Sequence, residues 1–475
     1  MGLLHETIRL LRAYGIKPRK RLGQSFCIDA DLMRRLIRYA DVNVDDIILE
    51  VGAGFGFLTE MISESAGRVV AVEVDPRLVE ALKERLGDRE NVMIVEGDVL
   101  EVPLPNFSKV VSNPPYSISS PLLFRLLERP FEAAVMTLQR EFAERLVAPV
   151  GSRDYGRLTV MAHFRADIEM IEHVSERAFY PSPKVGSTVV RIKPHRPPFK
   201  VVNEGFFSDL VQGLFSQRNK KVRNALLSFV QRKLDVNRVE ARELIADLPF
   251  IESRAYRLSP EELGLLSNEI HRRFVESRRL TYDDHVFYVF PEVYPPSDDT
   301  YVVTEHLETE EGLVLDMGTG CGILAILTGE KAEKVVAVDI NPHAVNCAKL
   351  NVRLNKLTGK VDVRQGDLFE AVGPSEKFDL IIFNPPYLPV EEGGRGWIER
   401  SWSGGATGRA VIERFLGEAP RHLSEKGRIL MVQSSLSEVE ETIKYLERVG
   451  LKAEVVAEKR FEFERIFLIR TSFKD

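Results

Sequence analysis

The chain of 475 residues is 44% hydrophobic and 29% charged, carries a net charge of −6 and contains three cysteines. Its length exceeds one ordinary core and predicts about two to four domains. No apolar run approaches the ~18–20 residues that span a bilayer, and Cys27, Cys321 and Cys347 form no C-x-x-C pair, which excludes a membrane span, a disulfide framework and a zinc knuckle. The nine histidines form no H-E-x-x-H, so no metal site is expected, and a reduced cytoplasm is the expected location. Charge is uneven: residues 1–275 carry 40 Lys and Arg against 37 Asp and Glu, and residues 276–475 carry 25 against 34. Different partners for the two parts are implied.

In chain order, M-G-L-L-H-E-T-I-R-L-L-R-A has the apolar spacing of an amphipathic helix, with no cleavage signal and no myristoylation motif. Residues 47–56, I-I-L-E-V-G-A-G-F-G, predict a buried strand ending in a glycine turn at Gly52 and Gly54. Glu73 closes a second strand, V-V-A-V-E, 21 residues after Gly52. A helix follows from Pro76, then Asp98 in G-D, then N-P-P-Y at 113–116 behind S-K-V-V-S. P-H-R-P-P from Pro194 is a stiff linker. Residues 203–275 read as helices, with S-P-E-E from Ser259 as an N-cap signal, and a boundary falls near Glu276.

The series then repeats. Residues 313–322, L-V-L-D-M-G-T-G-C-G, bring Gly318 and Gly320, followed by Asp339, a helix from Pro342, Asp367, and N-P-P-Y at 384–387. From first glycine to Asn the spacing is 61 residues in one copy and 66 in the other, the mark of a duplicated domain rather than a solenoid. Strands alternating with helices predict right-handed βαβ units, a mostly parallel sheet with helices on both faces, and a ligand site beyond the strands' carboxyl ends. The expected organisation is an α/β domain over 1–195, a small helical domain over 196–275 and a second α/β domain over 276–475.

The glycine turns read G-x-G-x-G with an acid, Glu50 or Asp316, two residues ahead. Such an acid would repel a pyrophosphate and suits a cofactor with a cationic amino-acid end. Glu73 and Asp339 can hold ribose hydroxyls, and Asp98 and Asp367 an adenine amine. S-adenosylmethionine, one per α/β domain, meets all three requirements, so both copies are read as class I (Rossmann-like) methyltransferase domains with mostly parallel seven-stranded sheets. In N-P-P-Y, the side-chain oxygen of Asn113 or Asn384 can accept one N–H of a planar amine, and the carbonyl of Pro114 or Pro385 the other. That favours a pyramidal nitrogen facing the donor methyl, without a strong base. Tyr116 or Tyr387 can stack on the flat substrate, which is an adenine, a cytosine or a glutamine side chain. Arg218, Lys220, Lys221 and Arg223 crowd one predicted helix and suit RNA phosphates, as does K-P-R-K-R from Lys17.

Residues 17–275 resemble the KsgA/Dim family of small-subunit rRNA adenine dimethyltransferases. The resemblance rests on L-G-Q-S-F from Leu22, E-V-G-A-G-F-G, N-P-P-Y-S-I-S, L-Q-R-E-F-A-E-R-L from Leu138, Y-G-R-L from Tyr155, F-Y-P-S-P-K-V-G-S from Phe179 and F-S-Q-R-N-K-K-V-R-N from Phe215. It implies dimethylation of two adjacent adenines near the 3′ end of the rRNA. It also implies that Gln24, Ser25 and Cys27 line the cofactor's methionine end, that Gly52, Glu73 and Asp98 follow round the cofactor, and that Phe179 faces Tyr116 across the target base. Pro114 stands where the family commonly has leucine, and Ser25 and Cys27 where asparagine and leucine are frequent.

Residues 285–475 resemble HemK-type glutamine methyltransferases, in the short archaeal and eukaryotic branch that modifies class I release factors. The matching pieces are Y-P-P-S-D-D-T-Y-V-V from Tyr294, D-M-G-T-G-C-G, D-I-N-P-H-A-V, G-D-L-F, N-P-P-Y-L-P and W-S-G-G-A-T-G-R from Trp402. The resemblance places Thr300, Asp316, Gly318, Asp339, Asp367 and Leu368 on the cofactor, and Asn384 and Pro385 on the amide of a G-G-Q glutamine. The branch often works with a small zinc-binding activator. The acidic charge argues against a polyanionic substrate, and the loop from Glu391 carries both tryptophans, Trp397 and Trp402, as a peptide cradle or as packing. The alternatives are a second domain acting on DNA adenine or protein lysine, or one domain kept as a non-catalytic RNA- or ribosome-binding module.

Overall fold

The computed structural model describes residues 2–18, 24–308, 312–390 and 396–473. Residues 19–21 of K-P-R-K-R, 22–23 of L-G-Q-S-F and 391–395 of the tryptophan loop lie outside the described residues. The chain divides into two compact units, one of residues 1–222 with 252–265 and one of 223–251 with 266–475. The helical stretch 196–275 is therefore shared between them and is not a body of its own.

The first unit contains β1 (Phe26–Cys27), β2 (Ile47–Val51), β3 (Arg68–Glu73), β4 (Val92–Glu96), β5 (Lys109–Ser112), β6 (Ala133–Gln139), β7 (Ala166–Val174), β8 (Phe179–Tyr180) and β9 (Ser187–Pro194). Seven of these form one sheet in the order β4-β3-β2-β5-β6-β9-β7. All neighbours are parallel except β9, which is antiparallel to both β6 and β7. The inner strands are apolar on both faces, as a sheet covered on both sides requires. Ile48, Val69 and Val111 belong to one core, with Leu32, Leu36, Phe55 and Ile62. Their neighbours Leu49, Val70 and Val110 belong to the other, with Leu122, Leu126, Leu146 and Leu158. The helix Pro76–Leu86 starts as its sequence suggests, with Pro at its first turn and the Asp75 carboxylate accepting the Arg77 N–H.

The second unit contains β10 (Arg278–Tyr282), β11 (His285–Val289), β12 (Leu313–Met317), β13 (Lys334–Asp339), β14 (Val361–Gln365), β15 (Phe378–Phe383), β16 (Leu423–Ser434), β17 (Leu451–Arg460) and β18 (Arg465–Phe473). Its seven-stranded sheet runs β14-β13-β12-β15-β16-β18-β17. Counting strands from the glycine turn, both sheets have the order 3-2-1-4-5-7-6, with the seventh strand alone antiparallel. These are two doubly wound, mainly parallel Rossmann-like sheets, as the repeat predicts. β10 and β11 form a separate hairpin. The helix Arg238–Ile245 joins this unit through side chains: the Tyr288 hydroxyl and Arg279 Nε donate to Glu240 Oε1 at 2.8 and 3.0 Å, and Arg353 pairs with Asp247 at 3.2 Å.

Among the described residues no helix is long and apolar enough to cross a membrane, and no cluster of His, Cys, Asp and Glu could hold a metal ion.

Candidate functional site

In each sheet the strand order reverses between the first and fourth strands, and a crevice opens beyond their carboxyl ends. In the first unit β2 delivers the glycine turn and β5, its parallel neighbour, delivers N-P-P-Y. The two pieces, 61 residues apart in sequence, thereby come into contact. Gly52 has φ +74°, and a Cβ there would stand 3.1 Å from the Pro115 ring, so the close approach requires glycine.

A cleft of about 840 Å³, its open mouth included, lies over this junction. Gln24, Ser25, Cys27, Glu50, Gly52, Gly54, Glu73, Asn113, Pro114, Tyr116 and Phe179 all line it, so nearly all the residues expected in the first site come together. Asp98 is not among the lining residues; its carboxylate accepts the Leu100 N–H at 2.9 Å. Gln24, Ser25 and Cys27 reach the cleft because Cys27 pairs with Phe179, and Phe26 with Tyr180, in the two-residue ladder of β1 and β8. Ser25 Oγ donates to the Pro181 carbonyl at 2.6 Å, and Phe26 stacks on Phe55 at 5.0 Å.

The acids of this cleft are buried. Glu73 Oε2 accepts the Gly54 N–H at 2.9 Å and its Oε1 the Val74 and Asp75 N–H groups at 2.8 and 3.0 Å. Burial still raises its pKa. Glu50 is pushed up to about 8, by burial first and by the charge of Glu73, and its Oε2 has no hydrogen-bond partner. Burial also pushes the Cys27 thiol up to about 12, which disfavours its thiolate. The motif's two polar side chains have partners that sequence reasoning missed. The Thr137 hydroxyl donates to Asn113 Oδ1, and the Tyr116 hydroxyl bonds to that of Ser187. Both partners are single hydroxyls on β6 and β9 with no spacing to betray them.

The second unit repeats the construction in a roomier cleft of about 1780 Å³. Thr300, Gly318, Gly320, Asp339, Asp367, Leu368, Asn384, Pro385 and Tyr387 line it, as do Trp397 and Trp402. Asp316 is buried just behind, accepting the Thr319 hydroxyl at 2.5 Å and the Ala325 N–H at 3.1 Å; burial pushes its pKa up to about 7. Asp339 Oδ2 accepts the Gly320 N–H at 2.8 Å, reproducing the Glu73–Gly54 bond. Asp367 is engaged by Arg414 at 2.9 Å. The segment W-S-G-G-A-T-G-R folds back on N-P-P-Y-L-P, with Leu388 N–H bonded to the Trp402 carbonyl and Gly404 N–H to that of Leu388, both at 2.9 Å.

Asn384 and Tyr387 have different partners from their counterparts. Tyr387 donates its hydroxyl to Asp299 Oδ2 at 3.1 Å. Asn384 Nδ2 donates to Thr300 Oγ1 at 3.5 Å, and Thr300 gives its N–H and hydroxyl to Asp299 Oδ1 at 2.7 and 3.3 Å. Asn384 Oδ1 is buried with no partner. Asp299 stands beside Thr300 in P-S-D-D-T, a motif that named only its neighbour.

The basic run does not lie on one helix, which corrects the sequence expectation. The helix Glu204–Phe215 ends before it, and Arg218 and Lys220 occupy the following turn. Arg218 donates to the carbonyls of Arg153 and Ser152 at 2.7 and 3.1 Å and lies over the Tyr256 ring, while Lys221 pairs with Glu252 at 2.6 Å. Gln217–Lys220 is closed by its own backbone bond, between the end of one helix at Phe215 and the start of the next at Val222. Arg223 lies at the start of the helix Val222–Leu234, in the second unit.

Residues 15–253 match the family described as ribosomal RNA adenine dimethylase, and residues 298–463 that described as methyltransferase small domain. The probable ribosomal RNA small subunit methyltransferase A of Methanopyrus kandleri is 45% identical over 273 residues, covering 56% of this chain and 97% of that protein. Its namesake from Methanothermobacter thermautotrophicus is 43% identical over 274 residues, covering 57% and 97%. A solved dimethyladenosine transferase from Plasmodium falciparum is 27% identical, covering 52% of this chain and 97% of its own, with a TM-score of 0.46. Through residues 15–253, half of its length, the chain belongs to the ribosomal RNA adenine dimethylase family, and it carries a small methyltransferase domain in its second unit.

Proposed function

We propose that the chain is a bifunctional S-adenosylmethionine-dependent N-methyltransferase. The first unit dimethylates the exocyclic amines of two adjacent adenosines near the 3′ end of small-subunit rRNA. The second methylates the side-chain amide of the G-G-Q glutamine of a class I release factor, with a small zinc-binding activator as a further partner. The observation that carries the reading is an N-P-P-Y beside a glycine turn at the strand reversal of both sheets.

One feature of the first cleft supports the cofactor. Glu50 offers a buried, unpartnered carboxyl oxygen, a fit for a cationic amino group. Bound there, S-adenosylmethionine would supply an electrophilic methyl on a sulfonium. Gln24, Ser25, Cys27, Gly52, Gly54 and Glu73 would hold it in the first cleft, and Thr300, Gly318, Gly320, Asp339, Asp367 and Leu368 in the second. The chain's own contribution is orientation. The Asn113 or Asn384 oxygen takes one N–H of the substrate amine and the Pro114 or Pro385 carbonyl the other, and Tyr116 or Tyr387 stacks on the flat group. Phe179 closes the far side of the first target base, which must be unstacked to enter. Lys220, with Arg218, Lys221 and Arg223, would meet phosphates. The second cleft's larger volume and two tryptophans suit a peptide loop better than a single flipped base.

The test is radiolabelled methyl transfer by the whole chain to small ribosomal subunits and to release factor, supplied separately. Asn113→Ala is expected to abolish RNA labelling alone and Asn384→Ala protein labelling alone. Loss of both activities with either variant, or of neither, overturns the two-site reading.

A further inference from the structure

One carboxylate underlies the whole second motif. Asp299 Oδ2 takes the Tyr387 hydroxyl, and its Oδ1 takes the N–H and hydroxyl of Thr300, whose oxygen in turn accepts from Asn384 Nδ2. Hydrogen-bond direction is fixed throughout. An ionised carboxylate only accepts, so the Thr300 proton points to Asp299 and its lone pairs face the carboxamide. Only the NH₂ end of Asn384 can then face Thr300. The Oδ1 end is left buried and without a partner, in a residue that lines the cleft.

We infer that Asp299 is the positioning residue of the second site, setting which end of the Asn384 carboxamide faces the substrate and holding the Tyr387 ring at the other end of the same turn. This inference rests on N-methylation in that cleft. Asp299 is one of the residues lining the cleft, and the role inferred for it is exerted through Thr300 and Tyr387. Without it the Thr300 hydroxyl can rotate and donate to the Asn384 oxygen, which either flips the amide or occupies the lone pair that the substrate needs. The long 3.5 Å bond is of the kind that tightens when a ligand closes a site. The first site is arranged differently and without a carboxylate: the Thr137 hydroxyl donates to the Asn113 oxygen itself, and the Ser187 hydroxyl holds that of Tyr116. An amide nitrogen is a poorer nucleophile than an adenine amine, and the negative charge near Tyr387 favours the positive charge that develops on nitrogen as the methyl arrives.

The test uses the whole chain with Asp299→Asn, which keeps the side-chain size and loses the second acceptor. Transfer to release factor is expected to lose about 100-fold in kcat with KM for both substrates little changed, while transfer to small ribosomal subunits stays at the wild-type level and reports that the protein is folded. A second readout needs no substrate. The near-ultraviolet band of Tyr387, taken as the difference between a protein and its Tyr387→Phe variant, is expected to move to shorter wavelength in Asp299→Asn, because the phenol loses a charged hydrogen-bond acceptor. Unchanged kcat, a loss confined to KM, or an unmoved Tyr387 band overturns the inference. Should the wild type not methylate release factor at all, the proposed substrate falls, and the Tyr387 band decides the positioning role by itself.

Discussion

At the scale of single residues, Glu50 and Asp316 occupy equivalent places, each the penultimate residue of the strand that leads into its glycine turn. Both are fully buried acids whose folded pKa lies above the ordinary range, at about 8 and about 7. The unfolded carboxyls titrate near 4.5 and 3.8, so between those limits the folded chain binds more protons than the unfolded one. Its stability must then fall as pH rises through that window. Thermal unfolding of the ligand-free protein is expected to drop by several degrees between pH 5 and 8, and Glu50→Gln to flatten part of that slope. An unchanged slope would show that Glu50 is already ionised in the empty cleft. A cation beside Glu50 favours its carboxylate, so ligand binding in the first cleft should release a proton.

At the scale of elements, the second site depends on a segment folded back over its own motif. Gly408 has φ +71°, and a Cβ there would stand 2.4 Å from the Tyr387 carbonyl oxygen. Gly408→Ala is expected to cost about 1–3 kcal/mol and to lower transfer by the second site while sparing the first, as separate assays on the two substrates would read. Local signals made much of this architecture legible in the sequence. The strands carrying the glycine turns and acids announce themselves as apolar runs with turn residues at fixed offsets, and the repeat supplied its own control. What stayed hidden depends on contacts between distant single residues. The β1–β8 ladder joins residues 26–27 to 179–180, too short for any periodicity. Thr137, Ser187 and Asp299 each meet the motif through one side chain, and only folding shows which. The basic run misled because four like charges close together suggest a helix face, whereas the run straddles the Gln217–Lys220 turn between two helices.

At the scale of the whole molecule, the chain changes units within its helical stretch, with no proline-rich linker to mark it. The sequence boundary near residue 276 follows composition, but Glu240, from well before it, is buried against Tyr288 and Arg279. Glu240→Ala strands the Tyr288 hydroxyl and one face of Arg279. It is expected to destabilise the second unit by about 1–3 kcal/mol, seen as earlier unfolding with the first unit's RNA methylation retained at low temperature. The two clefts also differ at the asparagine oxygen proposed to take the substrate N–H. The Asn113 oxygen already accepts a hydroxyl from Thr137, whereas the Asn384 oxygen is unclaimed. That difference is a handle for chemical selectivity: a donor analogue extended by a single N–H toward the asparagine gains a full hydrogen bond in one cleft and must compete for it in the other, so one small molecule could silence the second activity of this polypeptide and leave the first running.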